Sequence, residues 1–200
     1  MIAFLKKLYY KKLARELAGC KTVLDVGCGN SSIIERIPGD FHSTGLDAYE
    51  PYLEESRQKG IHDEYICANL LTADLPEKSY DAVIAFDVVE HLERPDALRF
   101  LNNLERWAEK KIIVATPNGF VPTLECHRRS DPQLDHLQIH KSGWTVSDLK
   151  KMGYQVRGLE GFKWWRNKEG KIWQMLYKLS YPLSYLMPRT AFRLLAVKEL

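Results

Sequence analysis

A chain of 200 residues has room for one α/β domain with an appended element and too little for two. Its 45% hydrophobic and 28% charged residues exclude a disordered chain, and it contains no run of about 18 apolar residues that could span a bilayer. The net charge of +3 conceals an uneven spread: residues 1–21 carry +5, residues 163–200 carry +6, and the stretch between them carries −8.

Along the chain, helical and strand periods alternate. Ile2, Leu5, Leu8/Tyr9, Leu13 and Leu17 recur at helical spacing with Lys6, Lys7, Lys11 and Lys12 opposite, which predicts an amphipathic helix within residues 1–19. The same lysines interrupt the apolar start before a secretory leader could form. Cys20, Cys28, Cys67 and Cys126 make no CxxC pair, and both features suit reduced thiols in a cytoplasmic protein. Thr22 to Val26 is a short apolar run ending at glycines, the pattern of a buried parallel strand. A short helix over 31–37 stops at Pro38-Gly39, a second strand runs from His42 to Asp47, and a helix from Pro51 to Lys59 closes at Gly60. Strands follow at Tyr65 to Ala68 and Asp81 to Phe86. Pro95 then opens a helix with a stripe of Leu98, Leu101, Leu104 and Trp107/Ala108. Lys111 to Ala115 reads as a fifth strand, Ser142 to Met152 as a helix and Tyr154 to Leu159 as a sixth strand. Residues 164–188 read as a helical insert broken at Pro182 and Pro188, and Arg193 to Val197 as the last strand.

Strands alternating with helices on short connections make βαβ units, so the expected fold is α/β. It is a doubly wound, Rossmann-like, mainly parallel sheet of about seven strands, with helices on both faces and the helical insert before the last strand. All 200 residues form one domain on this reading. Such a sheet binds its ligand at the carboxyl ends of its strands, which places sites just after residues 26, 47, 68, 86 and 116.

Chemistry-bearing residues gather at those places. Gly27-Cys-Gly29 turns the first strand into the next segment, and two glycines there allow a sharp turn and close approach of a ligand to the backbone. Asp47 ends the next strand twenty positions later, where a carboxylate can accept both hydroxyls of a ribose. A nicotinamide fingerprint needs a third glycine, but position 32 is Ser32, and Asp25 at the strand end would repel a pyrophosphate while suiting a cation. The ligand implied is an adenosine bearing a positive charge.

VLDVGCGNSS, GLDAY and SYDAVIAFDVVEHLERPD, in that order, resemble the class I S-adenosylmethionine-dependent methyltransferases over roughly residues 20–160. Within them the chain looks most like the small-molecule, ubiquinone/menaquinone-biosynthesis-type branch, methyltransferase type 11. The resemblance implies S-adenosyl-L-methionine as cofactor. It also implies a site in which Asp25, Gly27, Cys28 and Gly29 lie against the methionine part and Asp47 takes the ribose. Ala48, Asn69 and Leu70 would adjoin the adenine, and Phe86 and Asp87 would border the methyl group. Asn69 stands where the family usually has an aspartate, and its amide oxygen can still accept the adenine amino hydrogen.

For a hydroxyl or amine acceptor a general base is needed, and His91 and His140 are the candidates. No metal is expected: His127, His136 and His140 stand among Glu125, Asp131 and Asp135 at spacings that match no recognised site. Residues 120–140 and 164–188 depart most from the family pattern and should shape acceptor choice, the second as a lid over the site or as a dimer interface. The expected acceptor is a small or lipid-like molecule, and the basic, aromatic ends suit peripheral membrane contact. Two alternatives stand beside this reading: a nucleic-acid methyltransferase, disfavoured because no Asn/Asp-Pro-Pro-aromatic or Pro-Cys motif follows the fourth or fifth strand, and a non-enzymatic cofactor-binding protein on the same fold.

Overall fold

The apolar run after Lys21 forms β1 (Thr22–Val26), with Val23, Leu24 and Val26 fully buried, as a strand covered on both faces must be. A computed structural model describes residues 2–122 and 137–200. His127, His136, Glu125, Asp131, Asp135 and Cys126 lie outside the described residues. Six further strands are described: β2 (His42–Asp47), β3 (Glu64–Cys67), β4 (Tyr80–Phe86), β5 (Ala108–Pro117), β6 (Gln155–Phe162) and β7 (Ala191–Glu199). Their order is β3-β2-β1-β4-β5-β7-β6. β1 pairs in parallel with β2 and β4, β2 pairs in parallel with β3, and β6 and β7 form an antiparallel pair. The mainly parallel α/β sheet expected from the sequence is therefore present.

The chain groups into two units. The first comprises residues 1–86, 98–113 and 199–200. Its leading helix α1 (Ile2–Glu16) stops two residues short of the expected Ala18 and buries Leu13, with Leu17 buried just beyond. Lys111 Nζ holds its end, donating to the Glu16 carbonyl at 2.7 Å. The helix expected over 31–37 is one 3-10 turn, Ile33–Arg36, because Ser32 caps Ile34 N–H at 3.0 Å and Pro38 follows directly. Helix α2 (Glu50–Lys59) ends at Gly60 in the left-handed region, φ 62°. Along α3 (Arg94–Trp107), Phe100, Leu101, Leu104 and Trp107 are fully buried, each worth about 1.5–3 kcal/mol in burial. Leu98, expected in that stripe, is 40% exposed, and Phe100 takes its place.

The second unit comprises residues 87–97 and 114–198. The helix expected over 142–152 shortens to α4 (Val146–Lys151), started by a reciprocal cap between Thr145 and Asp148. Ser142 and Trp144 are held out of it: Trp144 Nε1 donates to Ser142 Oγ, which donates to the Val89 carbonyl, each at 3.1 Å. The helical insert is α5 (Lys163–Arg166), α6 (Lys171–Leu179) and α7 (Tyr181–Leu186), with Pro182 in the first turn of α7 and Pro188 opening a 3-10 turn. It packs on β6 through two glycines. A Cβ on Gly158 would stand 2.0 Å from the Ser184 carbonyl oxygen, and one on Gly161 would stand 2.1 Å from that of Tyr177.

Candidate active site

In the first unit the glycine turn is built as its sequence requires: Gly27 has φ 72° and Gly29 φ 58°, a region open to glycine at little cost. The Leu46 carbonyl on β2 accepts from Gly27 N–H at 2.7 Å and Cys28 N–H at 3.2 Å, and Gly29 N–H donates to Asp47 Oδ2 at 2.9 Å. These three donors are thus engaged within the chain. What the turn offers a ligand is the space left by two missing side chains.

Asp47 is half-buried, and its Oδ1 accepts from Tyr49 N–H at 2.9 Å. Burial raises its pKa while the N–H bonds from Tyr49 and Gly29 oppose the rise. Each carboxylate oxygen carries two lone pairs, so a pair of hydroxyls can still be received. Asp25, by contrast, is only 3% exposed. Its Oδ2 accepts a short hydrogen bond from Ser32 Oγ and lies 3.0 Å from His62 Nε2, itself wholly buried. Asp25 therefore anchors the turn from beneath rather than presenting an open carboxylate. Cys28 is buried beside His62 over Gly45, where an added Cβ would come within 2.9 Å of both. Burial and the neighbouring Asp25 push its thiol pKa up, so it is a packing group rather than a nucleophile. Ala48 and Asn69 are exposed, and Leu70 and Phe86 half-buried. The Asn69 side-chain oxygen accepts from Leu71 N–H at 2.9 Å, shaping the turn after β3.

In the second unit the segment after β4 gathers a cluster of titratable groups. Asp87 adopts φ 55° and its carboxylate receives Arg193 Nη2 on both oxygens at 2.6 Å, so the residue expected beside the methyl group is ion-paired. Glu90 is 2% exposed. Its Oε2 accepts from Thr116 Oγ1 at 3.0 Å, and its Oε1 has no hydrogen-bond partner among the described residues. Burial, with Asp87 adding to it, raises its pKa to about 8. The Glu90 carbonyl accepts from Lys141 and Ser142 N–H, drawing the segment that holds His140 against it.

His91 and His140, 48 residues apart from Ile139 in one case and adjacent to it in the other, meet with ring centroids 4.8 Å apart. His91 Nδ1 bonds the Ile139 carbonyl at 3.3 Å and His140 Nδ1 the Val121 carbonyl at 2.6 Å. A carbonyl only accepts, so each Nδ1 carries a proton. Burial, then His140, lowers the His91 pKa to about 4, which keeps it neutral near pH 7. Glu90, His91 and His140 bring one ligand atom each within 4.8 Å of one another. A carboxyl group and two imidazoles are donor types that a divalent cation accepts. Sequence reading singled out both histidines but missed Glu90, His62, Arg193 and Thr116. The signal for Glu90 was its place four residues past β4; the others carry none without tertiary pairing.

A family model described as a methyltransferase domain matches residues 24–114, the stretch that holds the glycine turn, Asp47, Glu90 and His91. Over those residues, just under half of the chain, the sequence is similar to the methyltransferases of the type 11 branch. The chain is 37% identical over 89 residues to the ubiquinone biosynthesis O-methyltransferase of Paraburkholderia phytofirmans, covering 41% of this chain and 38% of that enzyme. It is 24% identical over 186 residues to a small RNA 2'-O-methyltransferase of Tetrahymena thermophila, covering 78% of this chain and 44% of that protein. It thus spans less than half the length of either. A S-adenosylmethionine-dependent methyltransferase from Archaeoglobus fulgidus shares the fold, with TM-score 0.64 and 17% identity over 98% of this chain and 93% of that one.

Proposed function

We propose that this methyltransferase moves the methyl group of S-adenosylmethionine to a hydroxyl of a small or lipid-like acceptor. Asp47 receives the ribose hydroxyls, and the glycine turn Gly27-Cys28-Gly29, braced by Asp25, lies along the methionine part. Ala48, Asn69 and Leu70 adjoin the adenine; Phe86 and Asp87 stand toward the methyl group. When bound, S-adenosylmethionine would supply a methyl carbon whose bond to sulfur breaks, the pair going to sulfur, as the acceptor oxygen bonds to it, and His91 or His140 would take the acceptor proton. Alignment of the reactants supplies the larger part of the barrier reduction, on the order of 7–11 kcal/mol. Proton removal adds about 10²–10⁴-fold.

The observation that carries this reading is the histidine pair, with ring centroids 4.8 Å apart, in which His91 is fixed by its Nδ1 bond to the Ile139 carbonyl and kept neutral by burial so that its Nε2 can accept a proton. A pKa of about 4 at His91 does not disqualify it. The hydroxyl grows steeply more acidic as its oxygen bonds to the methyl carbon, so even a weak base can take the proton within the transition state. Named relatives on both sides are O-methyltransferases, which agrees with a hydroxyl acceptor. His91→Ala should lower turnover of a hydroxyl acceptor at least about 100-fold while leaving affinity for S-adenosylhomocysteine unchanged. Equal turnover in the variant would remove the role.

A second reading keeps the hydroxyl chemistry and changes the acceptor to a ribose 2'-hydroxyl of RNA. It is favoured by the likeness to the Tetrahymena protein over 78% of this chain. It requires RNA binding that weakens steeply with salt; binding indifferent to salt, or none, leaves the first reading standing.

A further inference from the structure

The insert helices leave an apolar surface that nothing in the described chain covers. Ile172, Met175 and Leu179 recur at i, i+3 and i+7 on α6 and are 62%, 48% and 53% exposed. Leu183, Leu186 and Met187 follow at i, i+3 and i+4 in and just after α7, at 55%, 75% and 53%. These six make up half of the large exposed hydrophobic residues in the described chain, concentrated in sixteen positions. The side of the insert that packs on β6 is a different one, made by Ser184, wholly buried, and by Tyr177, whose hydroxyl donates to Glu160 at 2.8 Å. The apolar side is therefore not the remnant of packing within the fold.

Its surroundings are cationic. Residues 163–190 contain six lysines and arginines against Glu169 alone. Arg166 is paired with Glu160, and Lys168 lies over the Trp173 ring at 4.0 Å. Lys163, Lys171, Lys178 and Arg189 have no carboxylate partner among the described residues. Lys171 and Lys178, seven positions apart, lie along one line of α6 next to Met175. Trp164, 51% exposed, adds an amphipathic ring of the kind that settles at the level of lipid headgroups.

We propose that the insert α5–α7 is a docking surface for an anionic phospholipid bilayer, its leucines, isoleucine and methionines entering the headgroup–acyl boundary and its lysines meeting the lipid phosphates. An apolar stripe bordered by unpaired cations is the pattern of a helix that lies in a membrane interface. A second copy of the chain fits less well: a two-fold contact would set this excess of positive charge against itself, with one glutamate in each copy to offset it. The inference is independent of which acceptor is methylated.

The experiment is co-sedimentation of the whole chain with vesicles of phosphatidylcholine containing phosphatidylglycerol and with vesicles of phosphatidylcholine alone. Binding is expected to the anionic vesicles, weakening with salt. Lys171→Glu/Lys178→Glu should lower the partition coefficient by at least about 25-fold, since each lysine near an anionic surface contributes about fivefold. Ile172→Asp/Leu186→Asp should lower it by at least about tenfold. Both variants should bind S-adenosylhomocysteine as the parent does, which separates loss of docking from loss of fold. Absence of binding to anionic vesicles would overturn the proposal, as would variants that bind equally well. So would a dimer in sedimentation velocity that Ile172→Asp/Leu186→Asp dissociates, because the face would then belong to a second copy.

Discussion

Glu90 gives the sharpest thermodynamic handle on the cluster after β4. In the unfolded chain its carboxyl ionises near the ordinary value of 4.5, whereas burial holds it protonated in the folded protein up to about 8. Below pH 4.5 both states are protonated and the group is neutral with respect to folding. Between pH 4.5 and about 8 the unfolded state releases a proton that the folded state keeps, so stability falls as pH rises. The slope is ~1.36 kcal/mol per pH unit at most, and movement of water or Arg193 toward an ionised Glu90 reduces the total to about 2–4 kcal/mol. Glu90→Gln keeps an acceptor for Thr116 Oγ1 and removes the titration. Urea midpoints from pH 5 to 8.5 should therefore decline in the parent and decline less, by that amount in total, in the variant. Parallel profiles across that range would refute the burial argument.

Two further outcomes follow from the same geometry. Asp47→Ala should weaken S-adenosylhomocysteine binding by about 10²–10⁴-fold, from the loss of two hydrogen bonds to a charged acceptor worth ~1.5–3 kcal/mol each. Calorimetric titration reads it, and an affinity within threefold of the parent would remove the ribose role. Gly158→Val should destabilise the second unit by at least about 1–3 kcal/mol, because even its Cβ meets the Ser184 carbonyl oxygen at 2.0 Å and the Ala191 side chain at 2.6 Å. A thermal midpoint unchanged from the parent would show that the insert does not pack on β6 as described.

The parts of this protein that are legible in its sequence are those decided locally. A continuous apolar run before Gly27-Cys-Gly29 can only be a buried strand entering a tight turn, and the twenty-residue step to Asp47 places a carboxylate at the next strand end. Boundaries that depend on distant partners were not legible. β5 begins at Ala108, earlier than the expected Lys111, and Lys111 within it is paired with Glu16 and Glu199, 95 and 88 positions away. The helix expected from Ser142 begins only at Val146, because Ser142 and Trp144 answer to Val89 across 53 residues. Glu90 reads in sequence as one more surface acid, and only the fold buries it against Thr116, 26 residues on. Asp25 looked like an open charge at a strand end, and its closure by Ser32 and His62 depends on a histidine 37 positions later.

Isothermal titration of the intact chain with S-adenosylhomocysteine, set beside NAD, tests the cofactor pocket most directly. The expected result is saturable one-to-one binding of the sulfur nucleoside that Asp47→Ala weakens by about 10²–10⁴-fold, and no heat with the dinucleotide. Binding of NAD in its place, or a flat trace with S-adenosylhomocysteine, would contradict it.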